Sequence, residues 1–198
     1  MDIFLKLRKW LLLAPLLVSN ATAGVIYGPS GPFGDYANFP LQISLNALPA
    51  HTAVTVSFDL YILDSWDGND IFYGPDYFGL LIDSQAFLWS FSNFDPLGNE
   101  TNTQAATSTG NFNSINTWGP IDRYFDDYGG GFTVPHTAST LTVTFFGTGL
   151  QGVDDESWRV DDVTISLEAP APVSEPALFG LLGLGLLGAA GWRRKQPA

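Results

Sequence analysis

The sequence predicts an all-β protein: an antiparallel, jelly-roll-like β-sandwich flanked by an N-terminal signal peptide and a short C-terminal transmembrane helix. Three observations carry this. Hydrophobic residues in the central chain recur every second position, the period of a strand with one buried face. No central stretch has the 3.6-residue period of an amphipathic helix, and Gly, Pro, Asn and Asp punctuate it throughout. Thr, Val, Phe and Tyr fill the alternating runs, as half-buried pleated surfaces favour. Such runs call for two sheets packed face to face.

Residues 1–23 read as a signal peptide. Lys6, Arg8 and Lys9 form its basic start, an apolar run extends from Trp10 to Val18, and Ala21-Thr22-Ala23 offers signal peptidase a small-x-small site before Gly24. An uncleaved anchor is the alternative, but the run is well short of the ~20 residues of a spanning helix.

Residues 24–169 form the sandwich domain. "LQISL" places Leu41, Ile43 and Leu45 on one side. "AVTVSFDLYIL" sends Val54, Val56, Phe58, Leu60 and Ile62 inward. "FGLLID" and "AFLWSF" read as a hairpin turning near Asp83-Ser84-Gln85. "LTVTFF" and "DVTISL" give two more strands, with Val163, Ile165 and Leu167 inward in the last. Residues 93–120, rich in Asn, Thr and Ser, read as an exposed loop or poorly marked edge strands.

Six of the eight basic residues lie in the terminal segments, leaving only Arg123 and Arg159 against eighteen acidic residues in the body. That charge repels phosphate backbones, so nucleic acid is not the expected partner. There is no cysteine, which excludes disulfides and Cys-ligated zinc.

Two acidic corners, "LDSWDGNDIFYGPD" and "VDDESWRVDD", lie at strand ends. Asp64 continues the inward series ending at Ile62, and Asp161 extends the series Val163, Ile165, Leu167 backwards by one step. Both are expected to aim at the sandwich rim, where a buried carboxylate needs a partner. With two arginines in the body, Ca2+ is the economical partner, since it takes six to eight oxygens from loops. The expected ligands are Asp64, Asp67, Asn69 and Asp161, with Asp70, Asp154, Asp155, Glu156 and Asp162 in reserve. The spacing is not that of an EF-hand. The competing reading is that these residues serve turns. Trp66 and Trp158 are expected to pack in the core or at its rim.

"LDSWDGND" with "DESWRVDDVTIS" resembles the jelly-roll modules of exported bacterial proteins and, more distantly, MAM-type and carbohydrate-binding sandwiches. The resemblance implies a calcium site beside a D-D-[VI] pair opening the last strand. It supports Asp64, Asp67 and Asp161 as ligands.

No G-x-S-x-G elbow or H-E-x-x-H helix occurs. His51 and His136, in "PAHT" and "VPHT", read as solvent-exposed loop residues. The expectation is therefore a non-enzyme. The loop aromatics Tyr73, Tyr77, Phe78, Trp118, Tyr124 and Tyr128 lie beside Asp and Asn, and of these Tyr77 and Trp118 foremost suit weak glycan recognition; alternatively these rings fill the ends of the sandwich. An exposed aromatic pair on one loop face would separate a lectin-like module from a matrix component without a ligand.

The tail, "VSEPALFGLLGLGLLGAAGWRRK", opens with a Pro-rich linker, residues 170–176. Residues 177–192 would span roughly 24 Å as a helix against a hydrocarbon core of about 30 Å. Gly180, Gly183, Gly188 and Gly191 favour close approach of a partner helix. Arg193, Arg194 and Lys195, in the basic end at 193–198, stay cytoplasmic by the positive-inside rule, which puts the body across the membrane. This order of parts closely resembles the PEP-CTERM sorting signal. Glu175 and Pro176 match its motif, while Ser174 replaces the first proline. The resemblance implies processing by an exosortase in a Gram-negative bacterium, after transient anchoring, and delivery to the outer surface or an exopolysaccharide matrix. A plain tail anchor is the alternative.

Overall fold

The computed structural model describes residues 24–94, 99–112 and 122–171. The expected signal peptide, the linker motif, the tail helix, its basic end and Trp118 lie outside these. Among the described residues no helix is long and apolar enough to cross a membrane.

Among the described residues, eleven strands build two antiparallel sheets: β1 (Gly24–Ser30), β2 (Phe33–Tyr36), β3 (Leu41–Asn46), β4 (Ala53–Asp64), β5 (Tyr77–Ile82), β6 (Gln85–Ser90), β7 (Ser108–Gly110), β8 (Asp122–Phe125), β9 (Phe132–Pro135), β10 (Thr140–Thr148) and β11 (Glu156–Glu168). The larger sheet runs β1-β11-β4-β8-β7, with β2 also paired to β11 and β9 to β4. The smaller runs β3-β10-β5-β6. All of the strands expected from alternation are present. β5 and β6 form the expected hairpin, turning through Asp83 in the left-handed region (φ 49). β7 is a three-residue edge strand within the polar stretch read as loop or edge.

The alternation of β4 is realised: Val54, Val56, Phe58, Leu60 and Ile62 are buried, while Thr55, Ser57, Asp59 and Tyr61 are partly exposed. The sheets meet through aromatic rings. Phe58 of β4 sits edge-on to Phe145 of β10 (centroids 4.9 Å), and Trp158 of β11 sits edge-on to Phe78 of β5 (5.4 Å). Trp158 also stacks on Tyr36 and donates its indole N–H to the Ala37 carbonyl at 2.7 Å. Burying each such ring contributes up to about 3 kcal/mol.

β11 breaks the simple phase. Asp161 pairs with Asp59 but Thr164 pairs with Ser57, so β11 spends an extra residue between them. This is a β-bulge, with Asp162 in the left-handed region (φ 46). Beyond it Val163, Ile165 and Leu167 face inward, and before it Trp158 and Val160 do. Asp161 is thereby turned to the outer face. It accepts the Asp162 N–H at 2.8 Å and lies near the Tyr61 hydroxyl. The expectation that Asp161 points inward is corrected: one bulged residue reverses the alternation on which it rested.

Candidate functional site

Three carboxylates converge at one pole of the sandwich. Asp67 and Asp76 belong to the connection between β4 and β5, and Glu156 is the first residue of β11. One ligand oxygen from each lies within 4.8 Å of the other two.

Strand phase puts two of them there. Asp76 precedes the inward series Phe78, Leu80, Ile82 by one step of two, and Glu156 precedes Trp158 and Val160 likewise. Both are 0% exposed, whereas Asp67 is half-buried and gives the cluster its opening to solvent. Local bonds fix the loop. The Asp67 N–H donates to Asp76 Oδ2 at 2.5 Å, and the Asp76 N–H to the Gly68 carbonyl at 2.8 Å. Gly68 has φ +67, and a Cβ there would lie 2.1 Å from the Asn99 carbonyl oxygen, so only glycine fits. Trp66, fully buried beneath the loop, donates to the Ser157 carbonyl at 2.9 Å. Glu156 Oε2 accepts the Gln151 N–H at 2.6 Å. Asp76 Oδ1 and Glu156 Oε1 receive no backbone or other side-chain donor, and the two carboxyls stand within hydrogen-bonding reach of each other.

The electrostatics follow from this crowding. Burial pushes both Asp76 and Glu156 above the ordinary carboxylate range, each against a backbone hydrogen bond that pulls it down; the Asp67 charge adds to the upward push on both. Asp67 is raised by burial, then by Asp70 and Asp155. Among the described residues, none of Asp67, Asp70, Asp76, Asp155 and Glu156 forms an ion pair with a basic side chain.

The structure brings Asp67 and the reserve residue Glu156 together, and adds Asp76, which sequence reasoning missed. Its signal was available, since the phase argument that selected Asp64 applies equally to the start of β5. Asp64 is buried as expected and lies opposite Glu156 across the β4–β11 pair. It is not one of the three converging carboxylates, nor is Asp161; Asn69 is half-buried in the same loop, its N–H donating to the Asn99 carbonyl at 2.7 Å. Other acidic residues serve turns. Asp70 Oδ1 accepts the N–H groups of Phe72 and Tyr73, Asp162 forms the bulge, and Asp155 accepts the Ser65 hydroxyl. Asp154 is exposed.

At the tip of the same loop Ile71, Phe72 and Tyr73 are 82%, 83% and 67% exposed. The Tyr73 carbonyl accepts the Gln151 side-chain amide, tying the tip to the turn before Glu156. Tyr77, half-buried at the start of β5, is not on this tip. A separate cavity of about 790 Å3 is lined by Asn93, Phe94, Asn102 and Gln104 around the Arg123–Glu100 ion pair. Its amides are largely spent internally: Asn102 Oδ1 takes the Tyr128 hydroxyl and the Gln104 N–H, and Gln104 Oε1 takes the Gly129 N–H.

The histidines are corrected too. His51 is buried and its Nε2 lies 2.6 Å from His136 Nδ1; His136 Nε2 reaches Asp83 at 3.0 Å. The rings stack at 4.9 Å, so each loop shields the other's histidine.

Residues 172–195 match the family model of the PEP-CTERM protein-sorting motif. No curated protein and no solved structure matches the chain.

Proposed function

We propose that this exported, exosortase-sorted protein, whose PEP-CTERM motif occupies residues 172–195, is a non-catalytic, calcium-stabilised glycan-binding module of the cell surface or extracellular matrix, built on a jelly-roll-like β-sandwich. Sorting through the membrane follows from the motif. The binding reading is supported by one observation, the exposed aromatic pair Phe72-Tyr73 on one loop tip. Exposed rings beside carboxylates offer a sugar both an apolar face to stack on and hydrogen-bond acceptors. Of the loop aromatics expected from sequence, Tyr73 is kept and joined by Phe72 in the proposal; Tyr77 is half-buried in β5, and Trp118 lies outside the described residues. Exopolysaccharide is the partner class that suits the route of export.

The second reading, a matrix component without a specific ligand, is favoured by the internal bonding of the cavity amides. Retention of the full chain, in mild detergent, on immobilised bacterial exopolysaccharides separates the two. Glycan binding predicts calcium-dependent retention, weakened about tenfold in Phe72→Ala/Tyr73→Ala, since two stacked rings at about 0.5–1.5 kcal/mol each bracket the roughly 1.4 kcal/mol of a tenfold change. No retention on any polysaccharide supports the ligand-free component. Release of reducing sugar would make the protein an enzyme instead.

A further inference from the structure

We propose that Asp67, Asp76 and Glu156 together bind one Ca2+ ion, which clamps the β4–β5 connection onto the first residue of β11. The proposal deepens the calcium-stabilised reading above, rests on it, and replaces the ligand set expected from sequence.

Two independent observations carry it. The first is spacing. Oxygens bound to one calcium at 2.3–2.6 Å lie at most about 5 Å apart, and one oxygen from each of these residues falls within 4.8 Å of the others. The second is what each buried group lacks. Asp76 and Glu156 are 0% exposed, and Asp76 Oδ1 and Glu156 Oε1 receive no N–H or hydroxyl donor; beyond its one backbone bond, each carboxyl has only the other in reach. A buried, unpartnered carboxylate oxygen is costly, and two beside each other are costlier when both groups ionise. A cation meets both demands. The donors are all oxygen, so a hard ion is required, and loop-built, irregular oxygen sets suit calcium better than the octahedral magnesium ion. Half-exposed Asp67 leaves a path for the ion and for water to complete its shell.

The rival arrangement is a proton shared between Asp76 and Glu156, which stand within hydrogen-bonding reach. It needs no metal, and the two make opposite forecasts. The full chain in mild detergent is melted in EDTA and in CaCl2, and calcium binding is followed by titration calorimetry. With calcium a hundredfold above its dissociation constant, the melting temperature is expected to rise by roughly 5–10 °C. Asp76→Asn and Glu156→Gln, which keep shape and remove charge, are expected to melt no lower than wild type in EDTA, yet to bind calcium at least about tenfold more weakly and lose most of the rise. Asp161→Asn is expected to keep it. Should the rise survive in Asp76→Asn and Glu156→Gln but vanish in Asp64→Asn or Asp161→Asn, this ligand set is overturned while the calcium-stabilised reading stands. A wild-type protein that neither binds calcium nor melts differently in EDTA overturns both and leaves the shared proton.

Discussion

A carboxyl group held at 0% exposure reports on its surroundings through pH. Asp76 and Glu156 have pKa values raised in the folded protein, burial being the largest cause. A raised folded-state value means the native protein holds protons that the unfolded chain has released. Their contribution to stability is therefore full below the ordinary carboxylate range and is lost as pH rises through the raised values. In EDTA the urea midpoint is expected to fall between about pH 5 and pH 8, and Glu156→Gln, which cannot ionise, to flatten that fall. A midpoint that climbs over this range would contradict the assignment. The same residues show how far a sequence can be read. Asp64, Asp76 and Glu156 each extend an inward series by one step at one pole, and period-two counting finds such residues. Counting fails at Asp161 because a bulge inserts a residue and reverses the phase, and no composition signal marks that. Asp64, Asp83, Asp127 and Asp162 all have φ between 44° and 69°, conformations Asp tolerates better than most side chains. The turn reading of the acidic corners thus holds for Asp70 and Asp162, while the calcium reading is the one proposed for Asp67, Asp76 and Glu156.

Strands with uninterrupted alternation were the legible ones: β3, β4, β5, β6, β10 and the second half of β11. β1 and β2, in "GVIYGPSGPFGDY", carry Gly and Pro at the positions where alternation would show, and they exist by pairing along β11. β7 and β9 are three and four residues long and are held by β8 and β4. Tertiary pairing, which a local window does not contain, makes these strands. Two element-scale expectations follow. Trp158 joins β11 to β5 and to the β2–β3 connection through ring contacts and its indole N–H. Trp158→Ala is expected to cost about 3–5 kcal/mol of unfolding free energy, measured by urea unfolding. The histidine joint ties three connections together: that before β4 through His51, that after β9 through His136, and the β5–β6 turn through Asp83. The Pro49 carbonyl only accepts, so His51 Nδ1 donates to it at 2.6 Å. Replacing either ring leaves its partner's buried nitrogen unmatched. His136→Ala is expected to cost about 1–3 kcal/mol, and a solvent-exposed loop histidine would show almost no change.

At the scale of the molecule, β11 connects the two ends that matter. Its first residue, Glu156, closes the acidic cluster, and twelve residues later Glu168 lies beside Ala53 at the opposite pole. At about 3.3 Å per residue the poles are roughly 40 Å apart. β11 ends at the far pole, just before the sorting motif in sequence. The acidic cluster and the Phe72-Tyr73 tip thus lie at the opposite end of the sandwich from the last residue of β11. The proposed binding face is therefore expected to work whether the tail is attached or removed. The sorting motif carries Ser174 in place of a first proline, while Glu175 and Pro176 keep the rest of the pattern. Cleavage is therefore expected near Ser174-Glu175-Pro176, and mass spectrometry of the protein recovered from its native host reads the outcome directly. The expected mature form ends within that stretch, lacks the glycine-rich segment and Arg193, Arg194 and Lys195, and shows the same calcium-dependent rise in melting temperature as the unprocessed chain. A protein recovered intact through Arg193 would instead be an ordinary tail-anchored one. A processed form with an altered calcium response would mean that the tail reaches the acidic pole, against the direction in which β11 runs.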